Sequence, residues 1–298
     1  MSNLTSLGSL RACDAPDGTR LAYVVAGSGP QCIVLAPGLA TPPSSYQAIF
    51  DHFKSSCRLI TWDMRGTFRS AMPKDGVAAL TMAHHLQDLE AIVAAEAPPR
   101  FVLGGWSAGV QLALAYTAHH LDRVQGLLLL NGGAGHLLDH AFNLPGGKQA
   151  PMAALALAKR LAPLINSVAP RLMPTPTFLA LLRLCGLVAP QLGHFPQVLR
   201  EFSQLDFVTY FEMMQHLQAH SAEDALLAKL PPTLVTAGSK DRMTPVASAE
   251  RMARAISDTR LLILPRGTHY APIEYAPQVN QAIGDLLSRL GWHLDRTP

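Results

Sequence analysis

Residues 101 to 116, FVLGGWSAGVQLALAY, constrain the fold of this chain more than any other stretch. The apolar run Phe101-Val102-Leu103 reads as a buried strand, and the apolar residues after Ser107 recur at helical spacing. Between them lies no polar loop, only Gly104-Gly105-Trp106-Ser107-Ala108-Gly109. A strand that turns so abruptly into a helix leaves little room for side chains beside the turn, so small residues belong at 105 and 109. The same turn would expose the Ser107 hydroxyl and aim the positive end of a helix dipole at charge developing beside it.

The flanking sequence repeats the strand-then-helix rhythm of a mostly parallel sheet covered by helices. DGTRLAYVVAG (17–27), CIVLAPG (32–38), RLITWD (58–63) and VQGLLLLNG (124–132) read as strands, and TMAHHLQDLEAIVAAE (81–96) as a helix that stops before Pro98-Pro99. The rhythm returns late in the chain with a strand at TLVTAG (233–238), a helix over 245–257, a strand at RLLILP (260–265) and a helix from Pro277 to about Leu290. Residues 135–219 break it. That segment is rich in Leu, Ala and Pro, reads as several short helices, and is too long for a loop inside a compact domain. The expected organisation is therefore a core in two parts, residues 1–134 and 220–298, with a helical cap over residues 135–219 inserted between them.

Composition narrows the class. With 49% hydrophobic and 15% charged residues, the 298-residue chain can bury a sizeable core, which argues against disorder. A formal charge of +3 with no lysine-rich tract argues against a nucleic-acid partner. Cys13, Cys32, Cys57 and Cys185 lie far apart without a CxxC pair, as reduced cysteines do. The first residues lack the basic start and apolar block of a signal peptide, and no uninterrupted apolar run reaches the roughly 20 residues of a membrane span. The expectation is a soluble cytoplasmic protein.

A serine hydroxyl is a weak nucleophile at neutral pH unless a base takes its proton, and the oxyanion formed after attack needs N–H donors. Asp241, in the loop after TLVTAG, and His269, beyond a glycine after RLLILP, are the candidates to complete such a site. In these roles His269 takes the proton from Ser107, and Asp241 orients the imidazole and stabilises its cation.

The DGTRLAYVVAG start, the APGL turn, WDMRGTFRS, GWSAG, GSKDRMTP and GTHYAPIEYAP together resemble the α/β-hydrolase superfamily over nearly the full chain, including its chain order Ser, Asp, His. The resemblance implies an α/β fold, a mostly parallel sheet flanked by helices, with an inserted helical cap. It implies oxyanion donors at the backbone N–H groups of Ala108 and Leu39. Pro37 stands where the family usually has histidine, although Gly38 keeps the turn. Asp63 resembles the family's structural aspartate near the site, with Arg65 and Arg69 expected to hold its loop. Some relatives carry the acid after the preceding strand. Here that position is Asn131, which lacks the charge, and the nearest acid beyond it is Asp139, so Asp241 is the expected acid.

Serine at 107 argues against the aspartate-nucleophile dehalogenases and epoxide hydrolases of the superfamily. It leaves hydrolysis of esters, lactones, thioesters or amides, with C–C bond hydrolysis and cofactor-free peracid formation as relatives. A ligand-binding protein on a silent hydrolase scaffold is the rival of another class. Trp106 either lines the acyl pocket or packs beneath the turn. From His140 to Arg200 the cap has no Asp or Glu, while Lys148, Lys159, Arg160, Arg171, Arg183 and Arg200 are basic, interleaved with runs such as PMAALALA and FLALLRLCGLV. Apolar cap helices suit an apolar acyl chain, and the basic residues suit an anionic group or a membrane surface. The His pairs of HLLDH (136–140) and HLQAH (216–220) lack further ligands, so no metal is expected. With no Gly-rich phosphate loop, no cofactor is expected either. The expected partner is a small apolar ester or lactone, and a homodimer is left open.

Overall fold

The computed structural model describes residues 7–138 and 149–294. Eight strands form one sheet: β1 (Ser9–Asp14), β2 (Arg20–Ala26), β3 (Cys32–Ala36), β4 (Arg58–Trp62), β5 (Phe101–Trp106), β6 (Val124–Leu130), β7 (Thr233–Gly238) and β8 (Thr259–Leu264). Their order is β1-β2-β4-β3-β5-β6-β7-β8. The first two pairings are antiparallel and the rest parallel. Every residue of β3, β5 and β7 is buried, as expected of central parallel strands covered on both faces.

The covering helices are α1 (Gln47–Phe53), α2 (Met82–Glu96), α3 (Ala108–His119), α8 (Val246–Ala255), α9 (Ala271–Glu274) and α10 (Ala276–Arg289). Apolar side chains of α2 and α3 share one buried cluster with β3 and β5, and those of α1 and α10 share a second on the other face. In open sheets of this kind, ligands bind beyond the carboxyl ends of the strands. Ser107, Asp241 and His269 follow β5, β7 and β8 at that edge.

Among the described residues, the rhythm-breaking segment holds four α-helices between β6 and β7: α4 (Gln149–Leu172), α5 (Pro176–Leu184), α6 (Phe195–Phe202) and α7 (Phe207–Gln218). It is a helical cap. It is not a set of short helices only, because α4 runs 24 residues through Pro163 and Pro170. Both prolines sit on the solvent side, where water can satisfy the carbonyls deprived of their helical N–H partners. Ala162 and Ala169 seat α4 on Phe207, Met213 and Leu217 of α7, and Lys159 pairs with Glu212 at 2.9 Å. Although no uninterrupted apolar run was long enough to cross a membrane, α4 has the length and composition to do so. Its most apolar 18-residue window has a mean hydropathy of 1.2 and is only 17% buried.

Candidate active site

The turn at Ser107 is as tight as its sequence implies. Ser107 has φ 57° and ψ −119°, a left-handed conformation that side-chain-bearing residues rarely adopt. A Cβ at Gly105 would lie 2.0 Å from the Gly109 carbonyl oxygen, and one at Gly109 would lie 2.5 Å from that of Ala36. These contacts bring α3 hard against β3 and fix Ser107 at the start of the helix.

Three elements converge there. The Ser107 Oγ lies 2.9 Å from Nε2 of His269, and Nδ1 of His269 lies 2.9 Å from Oδ2 of Asp241. Since the carboxylate accepts from Nδ1–H, Nε2 is left to accept the serine proton. Oδ1 of Asp241 also accepts from the backbone N–H groups of Met243 (2.8 Å) and Thr244 (2.9 Å), and Oδ2 from the Thr244 hydroxyl (2.7 Å). Burial alone would raise the Asp241 pKa. The adjacent His269 and these donors outweigh burial and hold it below the usual carboxylate value.

The backbone N–H groups of Leu39 and Ala108 donate to no acceptor among the described residues. Ala108 opens α3, where helical N–H groups have no partner within the helix. Leu39 lies in the turn after β3. That turn is held by the Tyr46 hydroxyl, which donates to the Ala36 carbonyl at 2.5 Å, and by the Ala40 N–H, which donates to the Met64 sulfur at 3.3 Å. Leu39, Trp106, Ser107 and His269 line one cavity of about 140 Å³, together with Tyr210, Tyr270 and Phe202. Burial pushes the Tyr270 hydroxyl up to about 12 and raises Tyr210 as well, so both stay neutral donors. Trp106 is both buried and part of the cavity wall. Its indole N–H donates to the His269 carbonyl at 3.1 Å, bracing the histidine loop from below.

Asp63 is buried and takes a two-pronged bond from Arg69, at 2.5 and 2.7 Å. Arg65 is fully buried and binds Asp88 of α2 through Nε and Nη2 and Asp17 through Nη1, so both arginines hold the loop after β4. Asp139, the alternative acid, lies outside the described residues, as do His140 and Lys148. Among the described residues, His136 Nδ1 lies 3.0 Å from the Gln218 carbonyl oxygen, and no three potential metal ligands cluster.

Sequence reasoning missed the residues that position Ser107, Asp241 and His269. Asn131 carries no charge, yet its amide donates to the Thr268 carbonyl at 3.1 Å and to Asp241 Oδ2 at 3.4 Å. Thr236 donates to its side-chain oxygen at 2.9 Å, which fixes the amide orientation. Glu274, buried in the histidine loop, accepts through Oε2 from Thr268 N–H (2.9 Å). Through Oε1 it accepts from the Thr268 hydroxyl (2.7 Å) and from the cap N–H of Ala189 (2.7 Å). A glutamate lodged among GTHYAPIEYAP was the available signal.

A fold and site of this form define a class. The chain matches the α/β hydrolase fold over residues 31–276, and it belongs to that family. Its structure is similar to an enol-lactonase from Burkholderia xenovorans, with TM-score 0.73 and 22% identity over 93% of this chain and 100% of that one. It is also similar to a thermophilic esterase from Thermogutta terrifontis (TM-score 0.67, 25% identity, 95% and 99% covered). A bromoperoxidase from Bacillus anthracis shares the fold at TM-score 0.76 and 16% identity, over 94% of this chain and 100% of that one.

Proposed function

We propose that the protein is a serine hydrolase that cleaves apolar carboxylic esters through an acyl-enzyme. The observation that carries this reading is the continuous hydrogen-bonded line from Ser107 through His269 to Asp241, 2.9 Å at each step, opening into a cavity walled by apolar side chains. Nε2 of His269 takes the Ser107 proton as Oγ bonds to the ester carbon. The carbonyl electron pair moves onto oxygen, where the free N–H groups of Leu39 and Ala108 stabilise it. As the tetrahedral carbon collapses, its bond to the alkoxy oxygen breaks and His269 returns the proton to the departing alcohol. Water then repeats the sequence against the acyl-enzyme, with His269 again as base. Lactones and thioesters present the same carbonyl to the same groups.

The acyl group has room to extend. Thr41, Phe202, Met243 and Tyr270 are shared between the cavity at Ser107 and a second chamber of about 160 Å³. Phe178, Leu182, Val188 and Val198 of the cap line that chamber, which favours a medium-length apolar chain.

A series of p-nitrophenyl esters of rising acyl length tests both points. The expected result is a burst of p-nitrophenol stoichiometric with protein, and a kcat/KM that climbs by roughly fourfold per methylene until the chambers are full. Ser107→Ala should abolish the burst and lower kcat by more than about three orders of magnitude. Fluorophosphonate labelling of a different serine would overturn the assignment, and an intact, burst-free protein that binds the esters would make it a ligand-binding scaffold.

A further inference from the structure

The apolar residues of the cap do not all face the core. Along α4, Leu157, Leu161, Leu164, Val168 and Leu172 are exposed, Leu164 by 61%. Their spacing of three or four residues puts them on one stripe of the helix. The residues that seat α4 on the molecule, Leu155, Ala162 and Ala169, lie on a different face. In α5, Phe178 and Leu182 line the inner chamber while Leu181 and Leu184 are exposed, Leu184 by 85%. Large apolar side chains set so regularly in water mark a surface that is normally covered.

Charge indicates the cover. Arg160 and Arg171 each precede a stripe leucine, Leu161 and Leu172. At about 100° per residue, that places them along one flank of the stripe. Arg183 stands between the exposed Leu181 and Leu184. All three arginines are exposed, and none makes an ion pair among the described residues. No Asp or Glu occurs from residue 140 to residue 200 to oppose them. An apolar stripe rimmed by unpaired arginines complements a surface that is apolar within and anionic at its rim, as a bilayer with acidic headgroups is. A spanning role for α4 does not fit its packing, since one face is seated on α7 and Lys159 is paired with Glu212.

We propose that the outer face of the cap, the exposed stripe of α4 with Leu181 and Leu184 of α5, docks flat on an anionic lipid surface. The basic flank supplies attraction and the leucines enter the headgroup boundary. Because α5 separates this face from the inner chamber, docking places the chamber one helix away from a reservoir of apolar molecules. The inference does not depend on the reaction at Ser107.

Co-sedimentation with vesicles tests it, comparing phosphatidylcholine mixed with phosphatidylglycerol against phosphatidylcholine alone. The wild-type chain should partition onto the mixed vesicles, and less so as salt rises. Arg160→Glu combined with Arg171→Glu should weaken that partitioning by at least about fivefold per arginine and reduce its salt dependence, leaving Arg183 as the remaining basic contact. Leu161→Ser combined with Leu164→Ser should weaken it by about tenfold or more at any salt. Both variants should keep the wild-type burst with p-nitrophenyl acetate and the wild-type circular dichroism, showing that the fold is intact. Equal partitioning onto both vesicle types, or none onto either, would overturn the proposal. So would a wild-type dimer that the leucine variant converts to monomer without any vesicle binding, since the face would then belong to a second copy of the chain.

Discussion

Strand β5 and helix α5 are both largely apolar, yet every residue of β5 is buried and none of α5 is. The same contrast runs through the two halves of the molecule. In the core, apolar side chains have partners on both faces of the sheet, and the polar groups at its carboxyl edge are tied to one another by short bonds. In the cap, only four of the 24 residues of α4 are buried, and its apolar side chains are shared between a thin seat and open solvent. Apolar composition therefore means different things in the two regions. It specifies packing in the core. In the cap it shapes an inner chamber and an outer surface, and contributes less to holding the fold together.

The sharpest test of this contrast falls on the core's polar edge. Asp241→Asn should keep the fold, with a lowered melting temperature because an amide accepts fewer of the surrounding donors, yet lower kcat by about three orders of magnitude or more, because it favours the wrong imidazole tautomer. Steady-state kinetics alongside a thermal melt would show it, and near-normal turnover would mean that the carboxylate does not orient His269. Next in size is a matched pair of truncations. Leu128→Ala, at a fully buried position of β6, should cost about 2–5 kcal/mol in urea unfolding, while Leu164→Ala in the cap should stay within about 0.5 kcal/mol of wild type. Equal costs would erase the distinction between the regions.

The smallest effect concerns pH. His85 of α2 is buried with neither ring nitrogen hydrogen-bonded, and its Nδ1 lies 3.6 Å from Asp88. Burial lowers its pKa below the ordinary 6.5 despite that carboxylate. Below pH 6.5 the unfolded chain therefore takes up a proton that the folded chain refuses, and stability present above that pH is lost as pH falls. The depressed Asp241 acts in a separate window, since its contribution persists until pH drops below the ordinary 3.8. Urea unfolding between pH 7 and pH 5 should show His85→Leu flattening the slope by up to about 1.4 kcal/mol per pH unit. An unchanged slope would assign the acid sensitivity to other groups.

Much of the core could be read from sequence because its signals are local. The strands at 233–238 and 260–265, the helix after Thr81 and the Ser107 turn all announce themselves through runs, spacing and small residues. Ser107, Asp241 and His269 each follow such a strand, so topology alone carries them to one edge. β1 escaped notice because it is an edge strand, exposed along nearly its whole length, whose definition comes from pairing with β2. The length of α4 escaped because Pro163 and Pro170 argue for breaks, and only their solvent-side placement in the folded chain makes them tolerable. Asn131, Thr244 and Glu274 were illegible for another reason. They act through partners 3 to 137 positions away, among them Asp241, Thr268 and Ala189, and the runs and spacings that mark strands and helices do not encode such pairings.

The bonds of Glu274 are divided unequally between the two halves of the molecule. Its carboxylate holds the histidine loop by two donors from Thr268 and touches the cap by one, the Ala189 N–H. If the cap swings away at Ala189, the glutamate loses a single charge-assisted bond, about 1.5–3 kcal/mol, while both anchors of the loop stay made. The linkage is built like a breakaway coupling, with the weaker side facing the cap. Glu274 is thereby bound more firmly to the loop that carries His269 than to the cap, whose remaining grip on that loop is apolar, with Phe195 packed on Tyr270 at 4.5 Å between ring centroids.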